Sequence, residues 1–219
     1  MDRMVDIYFI RHGLTEGNRQ KQYIGWSDLP LLEEGREKLV KIKDQLPAAD
    51  LIYSSDLIRC VETAELLFPG RRFGRSSSLR EIHFGDWEKC TYEDLKDVDA
   101  YRAWISRPDH HTPPNGERYA HVQRRVERFL LHLLRTVTKQ PVQSAAVITH
   151  GGPLREMVSW ITGTPLWTYP VHPGEGVKVK LKRAGGMSWN LLQVAPITAK
   201  ENGWKKNGST VTRNTRGSM

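Results

Sequence analysis

A chain of 219 residues can bury one large core without disulfides or metals, and 38% hydrophobic content with seven tryptophans argues against disorder. The cysteines, Cys60 and Cys90, show no metal or redox spacing and fit a reducing compartment, while no apolar run approaches the roughly 18 residues of a membrane span. The formal charge of +8 is unevenly spread: the stretch from Pro196 carries Lys200, Lys205, Lys206, Arg213 and Arg216 against Glu201, which is half the excess. No nucleic-acid motif accompanies it. The expectation is a cytoplasmic globule over residues 1–195 with a basic, flexible tail over 196–219, and neither nucleic acid nor membrane as partner.

The run Val5 to Ile10 is apolar, β-branched and aromatic, and reads as a strand that ends in Arg11-His12-Gly13. Residues 16–23 are polar and read as a short helix or loop, and Gly25 to Pro30 as a turn. From Glu33, the positions of Leu39, Ile42 and Leu46 predict a helix that ends before Pro47. Asp50 to Tyr53 reads as a second strand, with Ser54, Ser55 or Asp56 capping a helix on which Leu57, Val61, Ala64 and Phe68 share a face. A short strand is expected at 72–75. Two strand–helix units in succession predict a mostly parallel sheet with helices on both faces.

Residues 79–143 break this pattern. Apart from Leu79 to Ile82 they hold no strand signal; they read as a helical excursion that closes with an amphipathic helix burying Val122, Val126, Phe129, Leu130, Leu133, Leu134 and Val137. The sheet pattern resumes at Ala145 to Thr149, followed by His150-Gly151-Gly152-Pro153 and a helix from Leu154. Val177 to Leu181 alternates with period two, and Ser188 to Val194 reads as its hairpin partner.

The repeated ending is the chemical clue. His12 and His150 both follow apolar strand-like runs and both precede glycine. On neighbouring parallel strands they would stand side by side at the carboxyl edge of the sheet, where ligands of open α/β sheets bind. Arg11 and Arg59 add forked donors suited to phosphate oxygens, and no carboxylate or thiolate cluster suggests a metal.

Four ordered blocks carry a resemblance. They are Arg11-His12-Gly13 with Thr15, Asn18, Gly25 to Leu31 and Gly35; Ser54 to Leu57 with Arg59, Thr63 and Ala64; Leu79 to Glu88; and Ile148 to Gly152 with Leu154 and Arg155. Together these resemble the histidine phosphatase (phosphoglycerate-mutase-like) superfamily, and within it the small phosphatases, including α-ribazole phosphatases and broad-specificity phosphomonoesterases. The resemblance implies a three-layer α/β/α sandwich and a phosphohistidine mechanism with no metal or cofactor. His12 would be the nucleophile; Arg11, Arg59 and His150 would hold the phosphoryl group; Glu81 would be the proton donor. Asn18, Gly25 and the Gly151 backbone would complete the substrate cradle. The implied substrate is a small phosphorylated metabolite, with α-ribazole 5'-phosphate as one candidate. A phosphomutase and a non-catalytic phospholigand-binding protein are the alternatives.

Four positions depart from the pattern: Ile24, Leu32, Lys89 and Arg118. Arg118 and Lys89 are expected to favour substrates with an additional anionic group. His83, His110, His111, His121, His132 and His172 read as ordinary residues, and Trp26 and Trp87 as packing residues.

Overall fold

The opening run forms β1 (Met4–Arg11), in which Val5, Ile7 and Phe9 are buried on one face and Tyr8 and Ile10 on the other. A strand apolar on both faces belongs inside a sheet covered by helices on both sides. The computed structural model, which describes residues 3–198, places it there. The chain continues through α1 (Glu16–Arg19), α2 (Glu33–Lys43), β2 (Leu51–Ser54), α3 (Ile58–Leu67) and β3 (Gly74–Arg75). It then passes through α4 (Tyr92–Leu95), α5 (Asp99–Ser106), α6 (Tyr119–Lys139), β4 (Ser144–Thr149) and α7 (Gly151–Thr162), and ends in the hairpin β5 (Gly176–Gly185) and β6 (Ser188–Ile197).

The sheet has six strands in the order β3-β2-β4-β1-β5-β6. The first four of that order are parallel, and β5 and β6 are antiparallel. Leu39, Ile42, Ala64 and Leu67 from α2 and α3 pack with Tyr8, Ile10, Ala146 and Ile148 on one face. Leu130, Leu133, Leu154 and Val158 from α6 and α7 pack with Val5, Ile7, Phe9 and Val147 on the other. This is the expected three-layer α/β/α sandwich.

Several boundaries differ from the sequence reading, each for a local reason. Leu79 to Ile82 is not a strand. A 3-10 turn at Ser77–Leu79 leads into irregular chain whose carbonyls are taken by side chains: Leu79 O by Thr149 Oγ1 at 2.8 Å, Ser78 O by Arg125 Nη1 at 3.0 Å and Glu81 O by Arg125 Nη2 at 2.9 Å. The strand expected at 72–75 shrinks to the two residues of β3. The sheet also runs past residue 195, because Pro196 and Ile197 pair with Val177 and Gly176, and Ile197 is buried against the α2–α3 side of the core. The expected tail from 199 onward lies outside the described residues.

The cap of α3 is the most informative difference. Leu57 at its N-cap supplies no side-chain bond. Instead Asp28, from the Gly25–Pro30 turn, accepts the Ile58 N–H at 2.7 Å. Ser55 and Asp56 are engaged elsewhere, with His150 and Arg80 respectively.

Lys89 has φ +67 and is exposed, its N–H donating to Tyr23 O at 2.8 Å. A Cβ in this left-handed region is strained. Lys89→Gly is therefore expected to stabilise the fold by roughly 0.5–1 kcal/mol, raising the thermal midpoint by about 1–4 °C. A calorimetric scan that shows no rise would contradict this.

Candidate active site

Parallel pairing of β1 and β4 sets Arg11 opposite Thr149, so the two chains leave the sheet together. The His12 N–H donates to Thr149 O at 2.9 Å, and the rings of His12 and His150 lie edge to face with centroids 5.1 Å apart. Both rings are buried. His12 Nδ1 lies 2.7 Å from Gly13 O, a group that can only accept, so Nδ1 carries the proton and Nε2 keeps its lone pair. The Gly13 N–H is itself tied to Thr63 Oγ1 at 3.0 Å, which fixes that carbonyl. His150 has the opposite tautomer. Its Nδ1 accepts from Arg59 Nε at 3.2 Å, and its Nε2–H meets Ser55 Oγ at 3.0 Å.

Burial and the charges of Arg59 and Arg11 hold His12 well below the ordinary imidazole value, and burial with Arg59 does the same to His150. Both stay neutral in the native state while the unfolded chain takes up protons below pH 6.5. Their contribution to stability is thus fully present above pH 6.5 and is lost as pH falls toward the native values. The expected slope is about 1.4 kcal/mol per pH unit for each histidine. Thermal melts between pH 7 and 5 should show it, and replacing either ring by a non-titrating residue should make the slope shallower.

Arg59 is fully buried, and its guanidinium donates to Gly25 O at 2.7 Å and Ser27 O at 2.9 Å as well as to His150. Three of its five N–H groups are so engaged, leaving two. Arg11 Nη1 donates to Val171 O at 2.9 Å, while its Nε is buried without a partner. Desolvation by burial takes Arg11 down to about 10, so it remains a cation at neutral pH.

The loop that holds Arg59 is in turn held by Glu88, which the sequence reading passed over. Its carboxylate accepts the N–H groups of Gly25 at 3.1 Å, Trp26 at 2.9 Å, Ser27 at 3.1 Å and Phe84 at 3.1 Å. Burial pushes Glu88 up, but the N–H groups of Trp26, Phe84 and Ser27 more than offset this and hold it below the ordinary value. Gly25 accordingly has a different place from the one expected. Its N–H belongs to Glu88 and its carbonyl to Arg59, and a Cβ there would collide with Ile82 O, Glu88 and Phe84. It is a positioning residue and offers no backbone group to a ligand. Glu88→Gln puts an NH2 against N–H donors. We expect it to cost about 2–4 kcal/mol of stability and to lower kcat through Arg59, measured by denaturant titration and steady-state kinetics.

Glu81 is brought to the same edge. Its Oε2 accepts the Gly152 N–H at 3.1 Å, and its Oε1 the Ile82 N–H at 3.1 Å. A side chain on Gly152 would strike Glu81, so this glycine is what lets the acid approach the start of α7. The Gly151 N–H, in the same first turn, has no acceptor among the described residues, and α7 has no side-chain cap. Such a turn attracts an anion. Asn18 closes the capping box of α1 with Thr15, its Oδ1 accepting the Thr15 N–H at 3.2 Å.

Trp26 is 41% exposed and packs at the rim, donating to Glu81 O at 3.0 Å, with Arg80 over its ring and His83 against it. Trp87 is buried against Tyr101 and Trp104, as expected. Arg118 is an exposed N-cap residue of α6, and no hydrogen bond or ion pair among the described residues ties it to this site. Among those residues no cluster of three or more His, Cys, Asp or Glu could hold a metal ion, and no helix is long and apolar enough to cross a membrane.

Comparison with known proteins agrees with this geometry. Residues 7–194 match the family model described as histidine phosphatase superfamily, branch 1. An adenosylcobalamin/α-ribazole phosphatase of Escherichia coli is 33% identical over 77% of this chain and 86% of its own length. A glucosyl-3-phosphoglycerate phosphatase of Mycolicibacterium vanbaalenii is 33% identical over 84% of this chain and 85% of its own. The crystal structure of the α-ribazole phosphatase from Shigella flexneri superposes with a TM-score of 0.75 at 27% identity, covering 93% of this chain and 100% of that one. The chain belongs to the histidine phosphatase superfamily and is a phosphatase of that type.

Proposed function

We propose that His12 is the nucleophile of a metal-independent phosphomonoesterase that acts on a small phosphorylated metabolite. The observation that carries this reading is the His12 ring: its Nδ1 proton fixed on Gly13 O, its Nε2 lone pair left free, and its protonated form disfavoured by burial and by the charges of Arg59 and Arg11. Nε2 attacks phosphorus and the ester oxygen departs, giving a phosphohistidine and an alcohol. The free N–H groups of Arg11 and Arg59 and the amide of Gly151 stabilise the charge spread over the phosphoryl oxygens. A phosphoryl oxygen would compete with Ser55 for the His150 Nε2 proton. Glu81 gives its proton to the departing alkoxide, then takes one from the water that attacks the phosphohistidine.

The names of the relatives point to two kinds of phosphate ester, that of adenosylcobalamin or α-ribazole and glucosyl-3-phosphoglycerate. The test is phosphate release from p-nitrophenyl phosphate in excess EDTA, with an alkaline denaturing quench, because phosphohistidine is acid-labile, and mapping of the phosphorylated residue. EDTA-insensitive turnover with phosphate on His12 is expected. Loss of activity in EDTA, a requirement for a bisphosphate primer, or phosphate on another residue would overturn the reading.

A further inference from the structure

Arg155 is a cation that the chemistry above leaves unused. It lies in the second turn of α7 and folds back over the helix start, its Nη1 3.0 Å from the point that a Cβ on Gly151 would occupy. Cζ and Nε of Arg11 lie 3.6 Å from the same point. Two guanidinium groups therefore flank one glycine. Among the described residues no carboxylate is within ion-pair range of either, and the Nε of each is buried with no hydrogen-bond partner. The next residue, Glu156, is turned to the Tyr119 hydroxyl. On its outer side Arg155 is stacked 4.7 Å over Trp167, which is 78% exposed. Like charges held together with no direct ion pair raise each other's energy, and an anion between them lowers it.

The place of that anion follows from the start of α7. Arg155 Nη1 lies over Gly151, and the next residue, Gly152, is the one whose N–H Glu81 Oε2 accepts at 3.1 Å. Arg155 therefore stands on the side of the acid that serves the leaving group. In the proposed reaction Arg11, Arg59 and the Gly151 amide serve the phosphoryl oxygens, which leaves Arg155 for another group.

We propose that Arg155, held against Trp167, is a specificity residue that binds a second anionic group carried by the leaving alcohol. This rests on the reading of His12 as nucleophile and Glu81 as leaving-group acid. It moves to Arg155 the anion preference that the sequence assigned to Arg118 or Lys89. The probes are 3-phosphoglycerate and glycerol 3-phosphate, which differ only by a carboxylate in place of a hydroxymethyl group. In the wild-type protein kcat/KM should favour the carboxylate. Arg155→Met should lower the ratio of the two kcat/KM values by about 10- to 100-fold, chiefly through KM, with Arg155→Lys intermediate. An unchanged ratio, or an equal loss on both esters, would overturn the proposal. Calorimetric binding of the same two compounds to His12→Ala, with and without Arg155→Met, repeats the test without turnover. Discrimination there without hydrolysis by the wild type would support the anion site while sinking the hydrolase reading.

Discussion

Replacing His12 by alanine is expected to reduce kcat/KM by at least about 10^4-fold, because the covalent route is removed and only binding and charge stabilisation remain. The fold should survive. His12 sits at the end of β1, beyond the last ladder pair of Arg11 with Thr149, and the backbone bond from His12 N to Thr149 O does not depend on the side chain. The variant should still bind phosphate esters through Arg11 and Arg59. Residual turnover within tenfold of wild type would exclude His12 as nucleophile, whatever the variant's melting temperature.

Glu81→Gln should have the second largest effect, and its size should depend on the substrate. An alkyl ester needs a proton on its leaving oxygen, so loss of the acid should cost about 10^2- to 10^4-fold in kcat. p-Nitrophenolate leaves without that proton, so the first step on p-nitrophenyl phosphate should slow far less. What then remains is hydrolysis of the phosphohistidine, which also uses Glu81, and the intermediate should accumulate as a burst. Equal losses on both esters without a burst would assign Glu81 a purely structural part. Glutamine keeps one acceptor oxygen, so only one of the two bonds, to the Gly152 N–H or to the Ile82 N–H, survives; both esters share that structural cost, and the difference between them isolates the proton.

The parts of this site that were legible in the sequence share one property: each stands beside its strand or helix in the chain. Apolar runs ending in His12-Gly13 and His150-Gly151 announce a parallel pair, and the observed register brings the two rings together. What could not be read is convergence over long separations. Glu88 acts on Gly25, Trp26 and Ser27 from about sixty residues away, and nothing local to Phe84 to Glu88 distinguishes a half-buried clamp from a surface acid. The cap of α3 is of the same kind, since Asp28 reaches it from 30 residues away while Ser55 and Asp56 stand in the expected place with other partners. Gly25 belongs to a legible motif, but its reason is steric: the approach of Ile82 O and Glu88, which exists only once the loops meet. Trp26 packs, as its type suggests, but at the rim, where its indole N–H reaches Glu81 O, a partner that no local pattern announces.

The central pair of strands also has a consequence for how this protein comes into being. β1 opens the chain and β4 follows it only after more than 130 residues, yet every atom of the two-histidine centre depends on their pairing. A nascent or truncated chain that has made β1, β2 and their helices holds Arg11, His12 and Arg59 with no second wall. Contacts of such sequence separation form late in folding. Competence for catalysis is thus an all-or-none property of the closed sheet, and recovery of activity after dilution from denaturant should coincide with the slowest global refolding phase.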